Sequence, residues 1–110
     1  MGALQGVTLE LEILFSKALN AHQAGDLEAA QRIYKQVLAI DPNHAASWVN
    51  LGLAYNNLGS SDKALAALNR AKQLTPNHSA VHYNMGNIYM DRGALKPAIA
   101  ASVSYTHLTL

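Results

Sequence analysis

The sequence predicts an all-α chain, an α-solenoid of three antiparallel helix pairs with the last pair truncated. Three observations carry this. First, residue types recur every 34 residues: Gly25, Gly59 and Gly93; Ala30, Ala64 and Ala98; Asn50 and Asn84; Gly52 and Gly86; Tyr55 and Tyr89. Second, apolar and small residues inside each period keep the 3.6-residue rhythm of an amphipathic helix. Third, the breakers stand at repeating places, with Pro42-Asn43-His44 returning as Pro76-Asn77-His78. A unit of this length cannot bury its apolar face alone, so such units stack on one another.

The elements follow in order. Residues 1–10 read as a lead-in, and the first helix is expected over 9–24. Glu10 and Glu12 lie on different helix faces and suit the positive end of its dipole. Gly25 breaks it, and Asp26 is placed to cap a second helix over 27–40, with Tyr34 and Val37 in packing positions. Pro42 disfavours helix at the residue before it. The third helix, 45–58, carries Trp48, Leu51, Gly52, Tyr55 and Leu58 on one stripe, and Trp48 is expected to be buried. Gly59 ends it, and the Ser60 hydroxyl is expected to cap a fourth helix over 61–74. That helix repeats the stripe through Ala64, Leu65, Leu68, Ala71 and Leu74, and Pro76 closes it. A fifth helix is expected over 79–92, with His82, Met85, Gly86 and Tyr89 in register, and a sixth from 95 to about 103. Gly52 and Gly86 inside helices cost about 1 kcal/mol each relative to Ala. The expected reason is close packing against the small residues Ala64 and Ala98.

Composition bounds the function. The chain has 110 residues, half of them hydrophobic, with 8 Lys and Arg against 7 Asp and Glu. No basic stripe marks a nucleic-acid partner. The apolar start is interrupted by acids and lacks a basic lead, so neither a secretory signal nor a membrane span is expected, and the location reads as cytoplasmic. With no cysteine, thiolate and disulfide chemistry are excluded. His78 and His82 have a zinc-like spacing, but no third ligand accompanies them, and His82 stands in the Trp48 packing slot. Ser60-Ser61-Asp62 is a helix start with no base tied to it. Tyr34, Tyr55 and Tyr89 read as core. No catalytic residue, metal ligand or cofactor is expected.

With Trp48, Leu51, Gly52, Tyr55, Ala64, Leu68, Ala71 and Pro76 at these spacings, the chain resembles the tetratricopeptide repeat (TPR) family over Leu11 to Ser102. The repeats would be 11–44, degenerate, with Leu14, Lys17, Ala18 and Ala21 in the signature slots; 45–78, complete; and 79–102, incomplete. The resemblance implies a right-handed superhelix whose first helix in each repeat lines a concave groove for a protein or peptide. By that register the groove candidates are Val49, Asn50, Leu53 and Asn57, with Ala46 and Asn56, in one repeat. In the next they are Tyr83, Asn84 and Asn87, with Ala80, Met90 and Asp91. In the degenerate repeat they are Glu12, Phe15, Ser16, Leu19, His22 and Gln23. Asn offers donors and an acceptor, so Asn50, Asn84 and Asn87 could hold a peptide backbone, or remain solvated. TPNHSAVHYNMGNIY is similar to repeats of O-linked N-acetylglucosamine transferases, in which an Asn ladder lines the groove; Ser16 interrupts it here. Two functions are therefore expected in competition: a protein-interaction scaffold, or the substrate-recruiting array of a larger glycosyltransferase or sulfotransferase.

The repeat fails near its end. Ser102 stands where Tyr34 and Leu68 stand, and Tyr105 falls where Ala71 stood. Read as codons, the bases GTC TCT TAT ACA CAT CTG ACG CTG would give Val103 to Leu110 in order. They resemble the mosaic end and following bases of a transposase-based sequencing adapter. The bases before GTC in that adapter are CT, which restricts residue 102 to Ser, Pro, Thr or Ala. Residues 103–110 are therefore expected to be a non-native tail on a fragment. An uncapped C-terminal end would leave apolar surface open to self-association.

Overall fold

The computed structural model describes residues 2–91, with side chains from Gly6 onward. Its helices are α1 (Gly2–Gln23), α2 (Leu27–Ile40), α3 (Ala45–Asn57), α4 (Ser61–Leu74) and α5 (Ser79–Asp91). Among the described residues every regular element is a helix. α2 to α5 agree with the expected spans to within one residue. α1 begins at Gly2 rather than near residue 9. Ala3, Leu4 and Gln5 are good helix formers, and no Pro intervenes to stop the helix. Residues 2–10 are thus its opening turns. The expected sixth helix, with Gly93 and Ala98, lies outside the described residues, as does the tail from Val103.

The turns explain the punctuation. Gly25 and Gly59 adopt positive φ values of 84° and 86°, a conformation that glycine takes without steric cost. Around Gly25, its N–H donates to the His22 carbonyl and that of Asp26 donates to the Ala21 carbonyl. Around Gly59, its N–H donates to Asn56 and that of Ser60 donates to Tyr55. Both are Schellman closures, which satisfy carbonyls the ending helix leaves open. The two Pro-Asn-His turns also match. His44 N–H donates to the Asp41 carbonyl at 3.1 Å, and His78 N–H to the Thr75 carbonyl at 3.2 Å.

The caps came out unevenly. The Asp26 carboxylate accepts from the Ala29 N–H at 3.2 Å, as expected. Ser60 stands at the α4 N-cap, yet its hydroxyl makes no capping hydrogen bond. Its backbone (φ −100°, ψ 70°) is close to that of Asp26 (φ −83°, ψ 77°). An unexpected cap is His44, whose Nδ1 accepts from the Ser47 N–H at 3.2 Å.

α1 pairs with α2 and α3 with α4; α2 packs on α3, and α4 on α5. Ala18, Ala30, Tyr34, Leu51, Tyr55, Ala64, Leu68, Ala71, Val81 and Ile88 belong to one continuous core. Gly52 has the expected reason. A Cβ built there would stand 2.8 Å from Leu68 Cγ and 3.2 Å from the Ala64 carbonyl oxygen. Trp48 differs from expectation: it is half-buried at the core's edge. Its indole N–H reaches the Pro42 carbonyl at 2.8 Å, and that carbonyl belongs to an exposed turn. The Tyr34 ring is fully enclosed. Its hydroxyl meets His22 Nδ1 at 2.9 Å, and burial pushes its pKa up to about 12. Burial also lowers the pKa of His22, which favours the neutral imidazole beside the tyrosine hydroxyl.

Candidate peptide-binding face

α3 carries two opposed stripes. Trp48, Leu51 and Tyr55, spaced as neighbours on one helical face, turn toward α2 and α4. Asn50, Leu53 and Asn57 follow the same spacing on the other side. There Asn50, Leu53 and Val49 are half-buried and Asn57 is exposed. α5 stands against α3 and repeats the arrangement, with Asn84 half-buried and Asn87 exposed. Tyr83 and Met90 are large apolar residues left 53% and 58% exposed.

No hydrogen bond within the described residues engages the amides of Asn50, Asn84 or Asn87. No buried side-chain nitrogen or oxygen lacks a partner either. The three amides are therefore open to solvent and keep their donors and acceptors available. On α1, Glu12, Ser16 and Gln23 are exposed, while Phe15 and Leu19 pack on the core. His22 is committed to Tyr34 and is removed from the set of free groove groups.

Among the described residues no cluster of three potential metal ligands occurs. His78 is exposed, and His82 Nε2 is engaged by the Pro76 carbonyl at 2.9 Å. No helix of the described residues is long and apolar enough to cross a membrane. One feature escaped sequence reasoning: a hollow between α2 and α4, on the side of α3 away from Asn50, rimmed by Lys35, Lys63 and Arg70. Three basic residues scattered over 36 positions carry no pattern in the sequence.

The paired helices, Schellman turns and close helix contact at Gly52 meet an independent finding. A family profile of the tetratricopeptide repeat matches residues 21–82, more than half of the chain. The chain belongs to the tetratricopeptide repeat family. Its TPR architecture is shared by solved structures. MamA superposes with a TM-score of 0.85 at 20% identity, over 88% of this chain and 57% of that one. The Yersinia enterocolitica type III secretion chaperone SycD, in complex with a peptide of the translocator YopD, gives 0.87 at 20% identity, over 90% and 76%. These two likenesses concern the fold. A Thermobaculum terrenum O-GlcNAc transferase gives 0.84 at 29% identity, over 93% of this chain and 20% of that one. The chain thus spans little more than half of MamA and a fifth of the transferase. No curated protein matches the sequence significantly.

Proposed function

We propose that this TPR chain is a protein-interaction scaffold whose α3–α5 face holds an extended peptide. The observation that carries the reading is the pair Asn50 and Asn84. They stand one repeat apart, are half-buried alike, and have amides without partners among the described residues. Amides so placed can donate to and accept from a peptide backbone while Val49, Leu53, Tyr83 and Asn87 line its path. SycD, a protein of the same fold, has been solved with a peptide bound. In this reading the chain itself carries no catalytic group, and the repeats divide after His44 and His78. The location is cytoplasmic, with neither nucleic acid nor membrane as partner.

Each side-chain–backbone hydrogen bond contributes about 0.5–1.5 kcal/mol net, so a few repeats bind weakly. A peptide array compares wild type with the Asn50→Ala, Asn84→Ala double variant. Loss of most signal in the variant is expected; equal binding by both would refute the ladder.

A second reading is supported by the 29% identity to the Thermobaculum terrenum transferase across 93% of this chain. There the chain is the substrate-recruiting array of a larger O-GlcNAc-transferase-like enzyme or sulfotransferase. Extending the gene from source DNA distinguishes the two: a catalytic domain in frame supports the second, and a stop soon after the third repeat supports the first.

A further inference from the structure

The hollow on the opposite side of α3 has a volume of about 720 Å³ and an apolar floor that includes Leu38, Trp48, Leu51 and Ala67. Lys35 on α2 and Lys63 and Arg70 on α4 stand at its rim, and none of its lining residues is acidic. The Lys35 and Lys63 ammonium groups lie 5.6 and 5.8 Å from the centre of the same Tyr55 ring. An apolar floor between two cationic banks suits an apolar ridge with acids on both flanks.

The chain carries such a ridge. α1 has 22 residues and α2 has 14, so α1 is about 12 Å longer. Phe15 packs on His44, which follows the end of α2, with ring centroids 4.8 Å apart. The residues before Phe15 therefore run past the helix that covers the rest of α1. Leu9 and Ile13, one turn apart, are 58% and 48% exposed there. Glu10 and Glu12 fall on either side of that line and are also exposed.

We propose that the Leu9–Ile13 ridge of one copy docks in the α2–α4 hollow of a second copy. The two apolar side chains enter over Trp48 and Tyr55, and Glu10 and Glu12 face the opposing cationic banks. Lys17, a turn beyond Ile13, stays outside the hollow. Ridge and hollow are different surfaces, so the contact is heterologous: one copy keeps its hollow free and the other its ridge, which builds chains or rings. Two apolar anchors make each contact weak. The Asn50–Asn84 face remains open, so association would set several such faces in a row.

The test is sedimentation velocity of the full chain at low salt over a range of concentrations. One variant lacks the ridge (Leu9→Asp, Ile13→Asp), and the other reverses the banks (Lys35→Glu, Lys63→Glu, Arg70→Glu). Four of the five positions are exposed and Arg70 is half-buried, and circular dichroism checks that each variant folds. Wild type should gain mass with concentration, and each variant alone should stay monomeric. An equimolar mixture should stop at twice the monomer mass, because only one productive contact remains. A second ridge variant, Glu10→Lys with Glu12→Lys, should recover association when mixed with the reversed banks. A monomeric wild type would overturn the proposal, even if the hollow takes up an acidic peptide. Association unchanged in the variants, or a mixture as monomeric as its parts, would overturn it too.

Discussion

The indole N–H of Trp48 donates to the carbonyl of Pro42 at 2.8 Å, tying the first turn of α3 to the turn that follows α2. One repeat later His82 Nε2 meets the carbonyl of Pro76 at 2.9 Å. Trp and His differ greatly in size, but both present a ring N–H at the same register. The slot is therefore a polar clamp between successive repeats as well as a packing position, and this accounts for a histidine where the signature has tryptophan.

Trp48→Phe keeps a large ring and removes the donor, so a loss of about 1 kcal/mol is expected in urea titration. Trp48→Ala should lose more, about 2–3 kcal/mol, at the lower end of aromatic truncations because the ring is only half-buried. Equal stability of Trp48→Phe and wild type would show that the bond contributes nothing.

Gly52→Ala tests the helix contact. Helix propensity alone favours alanine by about 1 kcal/mol. The new Cβ would stand 2.8 Å from Leu68 Cγ and 3.2 Å from a backbone oxygen. Crowding of this kind costs about 1–3 kcal/mol, so a net loss of up to about 2 kcal/mol is expected. A thermal melt showing a more stable Gly52→Ala would contradict the close approach.

The Tyr34–His22 pair makes stability depend on pH at both ends. The folded His22 binds its proton less readily than the unfolded one. Its contribution is full above about pH 6.5 and declines on acidification below that. Tyr34 keeps its proton to about pH 12 when folded but only to about 10 when unfolded. Stability should then fall between those values, by on the order of 2 kcal/mol. Tyr34→Phe should remove most of the alkaline decline, and His22→Gln should flatten the acid limb. Profiles identical to wild type would exclude the pair as the source.

Removal of Val103 to Leu110 should leave peptide binding unchanged, since these residues read as adapter-derived. Amplifying the locus from source DNA checks the reading directly. Native codons for VSYTHLTL, away from any adapter, would refute it.

The sequence by itself determined the helices and their turns. Gly25, Asp26, Pro42, Gly59 and Pro76 act on their immediate neighbours, so period and punctuation place α2 to α5 to within a residue. The need for glycine at 52 was legible too, because a helical glycine opposite a repeating alanine implies close approach. The Asn50 and Asn84 register could be read from the 34-residue repeat, but their unengaged amides could not. Only the tertiary structure decided that His44 caps where Ser60 does not, and that His22 is held by Tyr34 rather than offered to the groove. It alone placed Trp48 at the core's edge and gathered Lys35, Lys63 and Arg70 around one apolar floor. Each of those cations reads as an ordinary solvated residue on its own helix. Their common field exists only because α2 and α4 are laid side by side across α3, and packing between helices leaves no local mark in the chain.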